Sequence, residues 1–115
     1  MMRFLDGAQI TAATPWGALI DAIADGVAAG GVAAPDRQVL GFESPPGPDG
    51  ALGPDAALLL MPAWSERAAS DGLLGVKAVT FVPTNSAAGK PTIHASYLAF
   101  DRITGEPSRC STAMR

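Results

Sequence analysis

Lys77 is the residue whose position most needs a chemical explanation. It sits at the middle of the second of two short strand candidates, whose apolar runs include 58–64 and 75–77. Because both runs are too short for three helical turns and are bounded by turn residues, the pattern predicts buried strands. A buried ammonium loses its hydration, so Lys77 needs either an exit to water or an anionic partner. The alternative is an ordinary lysine at a strand edge, with its charged end in solvent.

Four other side chains have ordinary interpretations when each is taken alone. Arg37 follows a Pro-Asp pair, as a solvated loop arginine does, and Thr92 is ordinary in a strand. His94 has no Cys, Asp or Glu at ligand spacing, so it is interpreted as structural or exposed, and no metal site is expected. Trp64 is interpreted as core or interface filler rather than a stacking platform.

The composition argues against several classes of function. The 115 residues carry 11 acidic against 8 basic side chains, a net charge of -3, which disfavours nucleic acid as a partner. The longest apolar run, 56–64, is interrupted by Pro62 and is far shorter than the roughly 20 residues of a membrane span. No signal peptide is visible near Arg3. The single cysteine, Cys110, excludes an internal disulfide and fits a reducing cytoplasm.

The elements that must position Lys77 are those of one small α+β domain. The pattern predicts a helix with Thr14 as its N-cap and Pro15 at its first position, ended by Gly30 and Gly31. Its apolar stripe, which we expect to pack on a sheet, consists of Trp16, Leu19, Ile20, Ile23 and Val27. Further strands are expected at 3–6, 38–42 and 92–100, with a loop at 44–53. The expected fold has two layers, an antiparallel or mixed sheet with the main helix packed on one face.

Two glycine-rich stretches fail as nucleotide sites. The stretch 26–31 ends a helix, whereas a dinucleotide loop must follow a strand and begin a helix. The stretch 88–92 contains a Gly-Lys pair, but Thr84 stands where a phosphate-binding loop needs its first glycine, and Pro91 removes an amide donor. We therefore expect no cofactor-binding residue in this chain.

A series of motifs, in order along the chain, resembles the N-terminal half of the ornithine cyclodeaminase and mu-crystallin family. The motifs are LLLMPAW at 58–64, LGVK at 74–77, Pro83 with Asn85, GKPT at 89–92, and YLAFD through TGEP at 97–107. The helix ending near Gly30, with Pro35 and Arg37 after it, is similar to the family's opening. The resemblance covers nearly the whole chain to residue 107, so it does not depend on any single motif.

The resemblance implies a substrate-binding α+β domain that dimerises through its sheet, followed by a Rossmann domain that binds NAD or NADP. Members cyclise ornithine to proline with loss of ammonia, oxidise alanine, reduce cyclic imino acids, or bind thyroid hormone. By the family's pattern, Arg37 and Lys77 hold the substrate carboxylate, Thr92 adds a hydroxyl, and Met61 lines the pocket. Lys77 is also the candidate catalytic residue, because an ammonium can act as an acid or polarise a carbonyl.

Two substitutions depart from the family pattern inside the resemblance. Leu59 stands where ornithine-type cyclodeaminases tend to have an acidic residue that can meet a substrate amine. An apolar side chain cannot compensate an ammonium, so a small neutral amino acid or an imino acid is expected rather than ornithine. Thr84 stands where the family commonly has glycine before Asn85, so we expect that loop to have a different shape.

The last residues, 108–115, depart most, because the family usually continues here with a run like Leu-Ala-Leu-Leu-Asp-Gly. Written in the codons TCG CGC TGC TCG ACG GCG ATG CGC, with one C restored in front, they encode Leu-Ala-Leu-Leu-Asp-Gly-Asp-Ala in the shifted frame. We therefore expect a domain at 1–107 and an aberrant frameshifted tail at 108–115, which sequencing of the gene can test. On this hypothesis the chain binds a carboxylate and has no turnover alone. A free-standing binding module and a structural dimer are the alternatives.

Overall fold

The structure, a computed structural model, describes residues 2–44, 46, 49, 55–66 and 72–113. These residues form an α+β domain with a mixed sheet, which confirms the expected class. The elements in chain order are β1 (Arg3–Leu5), α1 (Gly7–Ala13), α2 (Trp16–Ala29), β2 (Val32–Ala33), β3 (Gln38–Phe42), β4 (Ala56–Ser65), β5 (Leu73–Phe81), a 3-10 helix (Pro83–Ala88), β6 (Ile93–Asp101) and β7 (Pro107–Ala113). The predicted strand at 38–42 is confirmed at both ends.

The sheet is built around the three long strands β4, β5 and β6, which pair antiparallel along nearly their whole length. The spatial order is β1-β7-β6-β5-β4-β2, and β3 also pairs with β4. The pairing of β1 with β7 is parallel, so the sheet is mixed. β4, β5 and β6 follow one another along the chain, and an antiparallel pair does not need the long crossover that a parallel pair requires.

The outer edge of β4 has a gap between its two partners. β3 pairs with β4 as far as Leu60, and β2 pairs from Trp64 onward, so no described strand lies beside residues 61–63. Pro62 occupies this gap, where a residue without an N–H group is tolerated. The gap leaves Met61 open on that side, next to the start of β3.

The strand register divides the sheet into two faces, because directly opposed residues share a face and successive residues alternate. The face that carries Lys77, called here the Lys77 face, also carries Leu59, Met61, Ala63, Gly75, Val79 and Tyr97. The opposite face carries Leu58, Leu60, Leu74, Val76, Leu98 and Phe100. Both faces carry large apolar side chains, so neither face is suited to contact with water alone.

Helix α2 differs from its expected position. Its apolar stripe is open to solvent, with Trp16 72% and Val27 78% exposed, so the expected packing of this stripe on the sheet is not seen. The helix ends at Gly30 and Gly31, whose φ angles of 64° and 77° turn the chain into β2. We infer that this turn limits contact with the sheet to the C-terminal end of α2. No helix in the described residues is long and apolar enough to cross a membrane.

Helix α1 was not expected from the apolar pattern. Asp6 and Gln9 form a capping box, in which the Asp6 carboxylate accepts from the Gln9 amide at 2.8 Å and the Gln9 side chain accepts from the Asp6 amide at 2.9 Å. The helix lies against β7. Thr14, expected to begin α2, instead ends α1, and its hydroxyl donates to the Ile10 carbonyl.

Residues 107–113 form β7, between β1 and β6. Cys110 pairs with Leu98 on one side and with Phe4 on the other. The pairing register of β6 with β7 shifts between Ala99 and Phe100, close to the turn that starts at Asp101. The segment expected to be a tail therefore contributes a strand to the sheet, and its origin by frameshift stays a prediction.

The described residues bury few side chains completely. Ala56, at 1% exposure, is the buried hydrophobic residue, and no larger side chain is fully buried. Lys77 and Tyr97 are exposed, and most other side chains of β4, β5 and β6 are half-buried. The strands were expected to be buried. They are only partly covered, mainly by the neighbouring strands of the same sheet. A sheet of this kind becomes more stable when another surface covers it, because burial of apolar area drives folding and association.

Candidate functional site

Lys77 lies at the middle of β5 with an open path to water. It is directly opposite Met61 on β4 and directly opposite Tyr97 on β6. Opposed side chains of this kind have Cβ atoms about 4.5–5.5 Å apart. Lys77 is exposed, and within the described part of the chain it has no hydrogen-bond or ion-pair partner. Its ammonium is therefore hydrated and available to an anion.

Arg37 lies next to the same row of residues. It immediately precedes β3, whose first residue, Gln38, pairs with Leu60. If the β3–β4 register were continued by one residue, Arg37 would come opposite Met61, two strand spacings or about 9.6 Å from Lys77. Arg37 is exposed and also has no partner in the described residues. The two cations therefore flank Met61, at a separation that two long side chains can bridge through one carboxylate.

Thr92 is not part of this row. It lies just before β6, where its carbonyl accepts from the Val82 amide at 2.8 Å. Five residues separate it from Tyr97, or about 16 Å of extended chain. The structure thus brings together Arg37, Met61 and Lys77 and leaves Thr92 at a distance. A contact of its hydroxyl with substrate remains a prediction.

His94 belongs to the other face of the sheet. It pairs with Thr80, an odd number of residues from Lys77, and it is exposed. The described residues contain no group of three or more His, Cys, Asp or Glu side chains that could hold a metal ion. Trp64, interpreted as core or interface filler, is half-buried at the end of β4 that pairs with β2.

The sequence analysis gave no role to Tyr97. Its ring leans from its position opposite Lys77 over Gly75, the next residue of β5 on the same face. A Cβ atom added at Gly75 would lie 2.7 Å from Cζ and 3.0 Å from Cε1 of the ring, and closer still to the hydroxyl oxygen. The tyrosine ring therefore occupies the space that a side chain at position 75 would need. The Gly75–Tyr97 relation follows from the β5–β6 register, which the sequence pattern alone does not give.

A pocket of about 480 Å³ opens beside this ring, between the sheet and the C-terminal end of α2. We call it the α2 pocket. From the sheet its lining includes Ala63, Leu73, Gly75 and Tyr97, all on the Lys77 face, and from the helix it includes Gly26 and Ala29. Among the described residues, no charged side chain lines it. It is therefore an apolar pocket that adjoins a pair of cations.

Two turns fix the strands around the site. In the turn between β5 and β6, the Asn85 side-chain amide donates to the Pro91 carbonyl at 3.0 Å. Thr84 stands in the 3-10 helix of this turn without a positive φ, so the position does not require glycine. In the next turn, the Asp101 carboxylate accepts from the Ile103 amide at 2.8 Å and the Thr104 amide at 2.9 Å, and these bonds lower the pKa of Asp101.

Gly30 and Gly89 do not have the setting of a dinucleotide loop. Gly30 ends α2 and leads into β2, the reverse of the strand-to-helix order that cradles a pyrophosphate. Gly89, with a φ of 68°, ends the 3-10 helix and leads toward β6. Neither glycine opens a helix whose amides could bind phosphate. The described residues of the site offer anion binding by side chains.

Comparisons with known proteins agree on the fold. No family model matches the chain. Protein SAR DEFICIENT 4 of Arabidopsis thaliana is 47% identical over 51 residues, which is 44% of this chain and 15% of that protein. The crystal structure of CmnK superposes with a TM-score of 0.73 at 19% identity, over 97% of this chain and 33% of CmnK.

A second solved structure has the same fold. Thermococcus litoralis Δ1-pyrroline-2-carboxylate reductase, in complex with NADH and L-proline, superposes with a TM-score of 0.71 at 21% identity, over 95% of this chain and 31% of the reductase. The chain thus spans about a third of the length of these solved structures and a smaller share of the plant protein. At these identities, the structural likeness shows that the chain has the fold of part of each protein.

Proposed function

We propose that the chain is the carboxylate-binding portion of an NAD(P)-dependent amino-acid or imino-acid protein of the ornithine cyclodeaminase and mu-crystallin family. The observation that carries the proposal is the register of β3, β4 and β5, in which Lys77 pairs with Met61 and Arg37 immediately precedes the residue that pairs with Leu60. The ordered motifs, the partial identity to Protein SAR DEFICIENT 4 and the fold shared with a reductase that binds L-proline support it.

The chemistry of the two cations suits a small carboxylate. The Arg37 guanidinium offers two parallel N–H donors to the two carboxylate oxygens, and the Lys77 ammonium adds a mobile point charge. Met61 supplies an apolar surface between them. In the complete reaction Lys77 would also act as an acid or polarise a carbonyl, which is the role the resemblance gives to this residue.

A neutral ligand fits the surrounding residues better than a diamine. Leu59 lies two residues before Met61 on the same face and is half-buried, opposite Val79. A second ammonium beside these side chains would lose hydration without gaining a partner. The proposed ligand class is therefore a small neutral amino acid or cyclic imino acid.

The redox step lies outside these residues in this proposal. Hydride transfer requires a nicotinamide held against the substrate, and Gly30 and Gly89 do not have the strand-to-helix setting of a dinucleotide loop. The 115 residues by themselves are proposed to bind the carboxylate and to leave NADH unoxidised. We propose that the chain binds its ligand in the cytoplasm, because a single half-buried thiol such as Cys110 stays reduced there.

A second copy of the chain is the proposed protein partner. The apolar opposite face has no helix across β4, β5 and β6 in the described residues, and the stripe of α2 is exposed. Exposed apolar surfaces of this extent mark association sites. A twofold pair of sheets would cover both copies of this face with one interface.

The test is a titration of the 115-residue chain with L-proline, followed by amide NMR, with L-prolinamide as the ligand without a carboxylate. The proposal predicts saturable shifts at β4 and β5 near Lys77 with proline and none with prolinamide. Equal shifts with both ligands, or none with either, would contradict it. In the second case, light scattering that shows two chains would favour a purely structural dimer.

A further inference from the structure

We propose that the α2 pocket binds the apolar part of the carboxylate ligand, and that Tyr97 is the residue that sets how large this part can be. The inference rests on the proposed carboxylate site, because Arg37 and Lys77 fix one end of the ligand. The inference also specifies where the rest of the ligand lies, and it assigns a role to Tyr97.

The first support is the position of the pocket relative to the cations. Ala63 and Gly75 are directly opposed, on the same face as Met61 and Lys77 and two residues along each strand. Two strand residues span about 6.6 Å. A carboxylate held at Lys77 therefore places the remainder of a small amino or imino acid at the mouth of the α2 pocket.

The second support is the chemistry of the lining. Leu73, Ala63 and the small residues at the end of α2 present apolar surface, and no charged side chain of the described ranges lines the space. Its volume of about 480 Å³ lies within the range of small-molecule sites. An aliphatic or aromatic group gains by leaving water here, whereas a distal ammonium or carboxylate would be desolvated without a partner.

The third support is the contact between Tyr97 and Gly75. The ring lies over Gly75 at a distance that excludes a Cβ atom there, so it fills the space above β5 and forms a wall of the pocket. Tyr97 is nevertheless 45% exposed, which fits a ring with one face on the sheet and the rest open to the pocket. Removing the ring would join the space above Gly75 to the pocket and enlarge it.

The experiment compares three carboxylates of increasing bulk, namely acetate, L-proline and L-phenylalanine, on the purified chain. In Tyr97→Ala, acetate should bind as in the wild type, while the ratio of phenylalanine to proline affinity should rise about tenfold, since a cavity change of a few methylene groups gives discrimination of this order. Tyr97→Leu, which keeps an apolar strand residue, serves as the second variant if the alanine variant fails to fold.

Glycine variants test the contact itself. Gly75→Ala should displace the ring and lower proline affinity with no change for acetate, and adding Tyr97→Ala should remove this effect. Gly41→Ala is the matched control, because Gly41 lies on the same face in β3 and its Cβ would meet only the Ala56 carbonyl oxygen at 4.0 Å. This control should leave all three affinities unchanged.

The outcomes separate the two proposals. If acetate fails to bind the wild-type chain, the carboxylate site itself is wrong, and the inference falls with it. If acetate binds and both Tyr97 variants leave the phenylalanine-to-proline ratio unchanged, the pocket assignment is overturned while the carboxylate site stands. If both glycine variants behave alike, the contact between Tyr97 and Gly75 does not control the pocket.

Discussion

Lys77 and Met61 are direct partners across the β4–β5 ladder, and this pairing determines what the site can do. Because β3 pairs with the other edge of β4 and its first residue pairs with Leu60, Arg37 lies at the end of β3 nearest this methionine. Two cations from distant parts of the chain thus come to one face of the sheet. Neither has a partner among the described residues, so an external anion is the group that would pair with both.

Replacement of Lys77 tests one half of the site. Lys77→Ala should weaken L-proline binding about tenfold to a hundredfold, since hydrogen bonds to charged groups contribute about 1.5–3 kcal/mol. Lys90→Ala is the control, because Lys90 lies in the β5–β6 turn, away from Met61. Calorimetric titration gives both affinities. Equal affinity of the two variants would remove Lys77 from the site.

Replacement of Arg37 by lysine tests the geometry rather than the charge. Arg37→Lys keeps one positive charge and loses the two parallel donors, so proline affinity should fall even though the electrostatics are nearly unchanged. Arg102→Lys, in the turn after β6, should bind proline as the wild type does. An Arg37→Lys variant of wild-type affinity would show that Arg37 acts only as a distant charge.

A charge on the apolar opposite face tests the proposed dimer. Leu98 is half-buried at the centre of that face, opposite Val76 and Cys110. Leu98→Glu should convert a two-chain species to a one-chain species in sedimentation velocity, because a carboxylate in an apolar interface is desolvated without a partner. Ile103→Glu, at an exposed turn position, should leave association unchanged. A Leu98→Glu variant that still pairs would place the interface elsewhere.

The turn at Asp101 should give the fold a small dependence on acid. The backbone bonds from Thr104 and Ile103 lower the Asp101 pKa in the folded state below its unfolded value. The associated stability is therefore fully present above the unfolded pKa, about 3.9, and is lost as pH falls through the lower folded pKa. Denaturant unfolding between pH 5 and pH 2 should show a smaller loss in Asp101→Asn than in the wild type. Identical pH profiles would contradict this account.

The local elements of the site could be predicted from sequence, and their contacts could not. The alternation around Val39 and the turn residues around the Lys77 run identify β3 and β5 because strand period and turn chemistry are local. The role of Tyr97 depends on the register between β5 and β6, which pairs it with Lys77 and leans it over Gly75. A single sequence does not specify that register.

Helix α2 shows a different limit of prediction from sequence. The stripe that includes Trp16 and Val27 correctly indicates one apolar face, but such a pattern does not say which surface covers it. In the structure this face is exposed, and the C-terminal end of α2 lines a pocket together with residues of the sheet. Conversely, α1 has a weak apolar pattern, and the capping pair Asp6 and Gln9 was the signal that could have predicted it.

The most direct measurement of the central claim is a double-mutant cycle on Arg37 and Lys77, with proline affinity determined for Arg37→Ala, Lys77→Ala and the double variant. If both side chains hold the same carboxylate, the double variant should lose markedly less than the sum of the two single losses, with a coupling of about 1 kcal/mol or more. Losses that simply add, or single variants that bind as the wild type does, would show that the two cations do not share an anion.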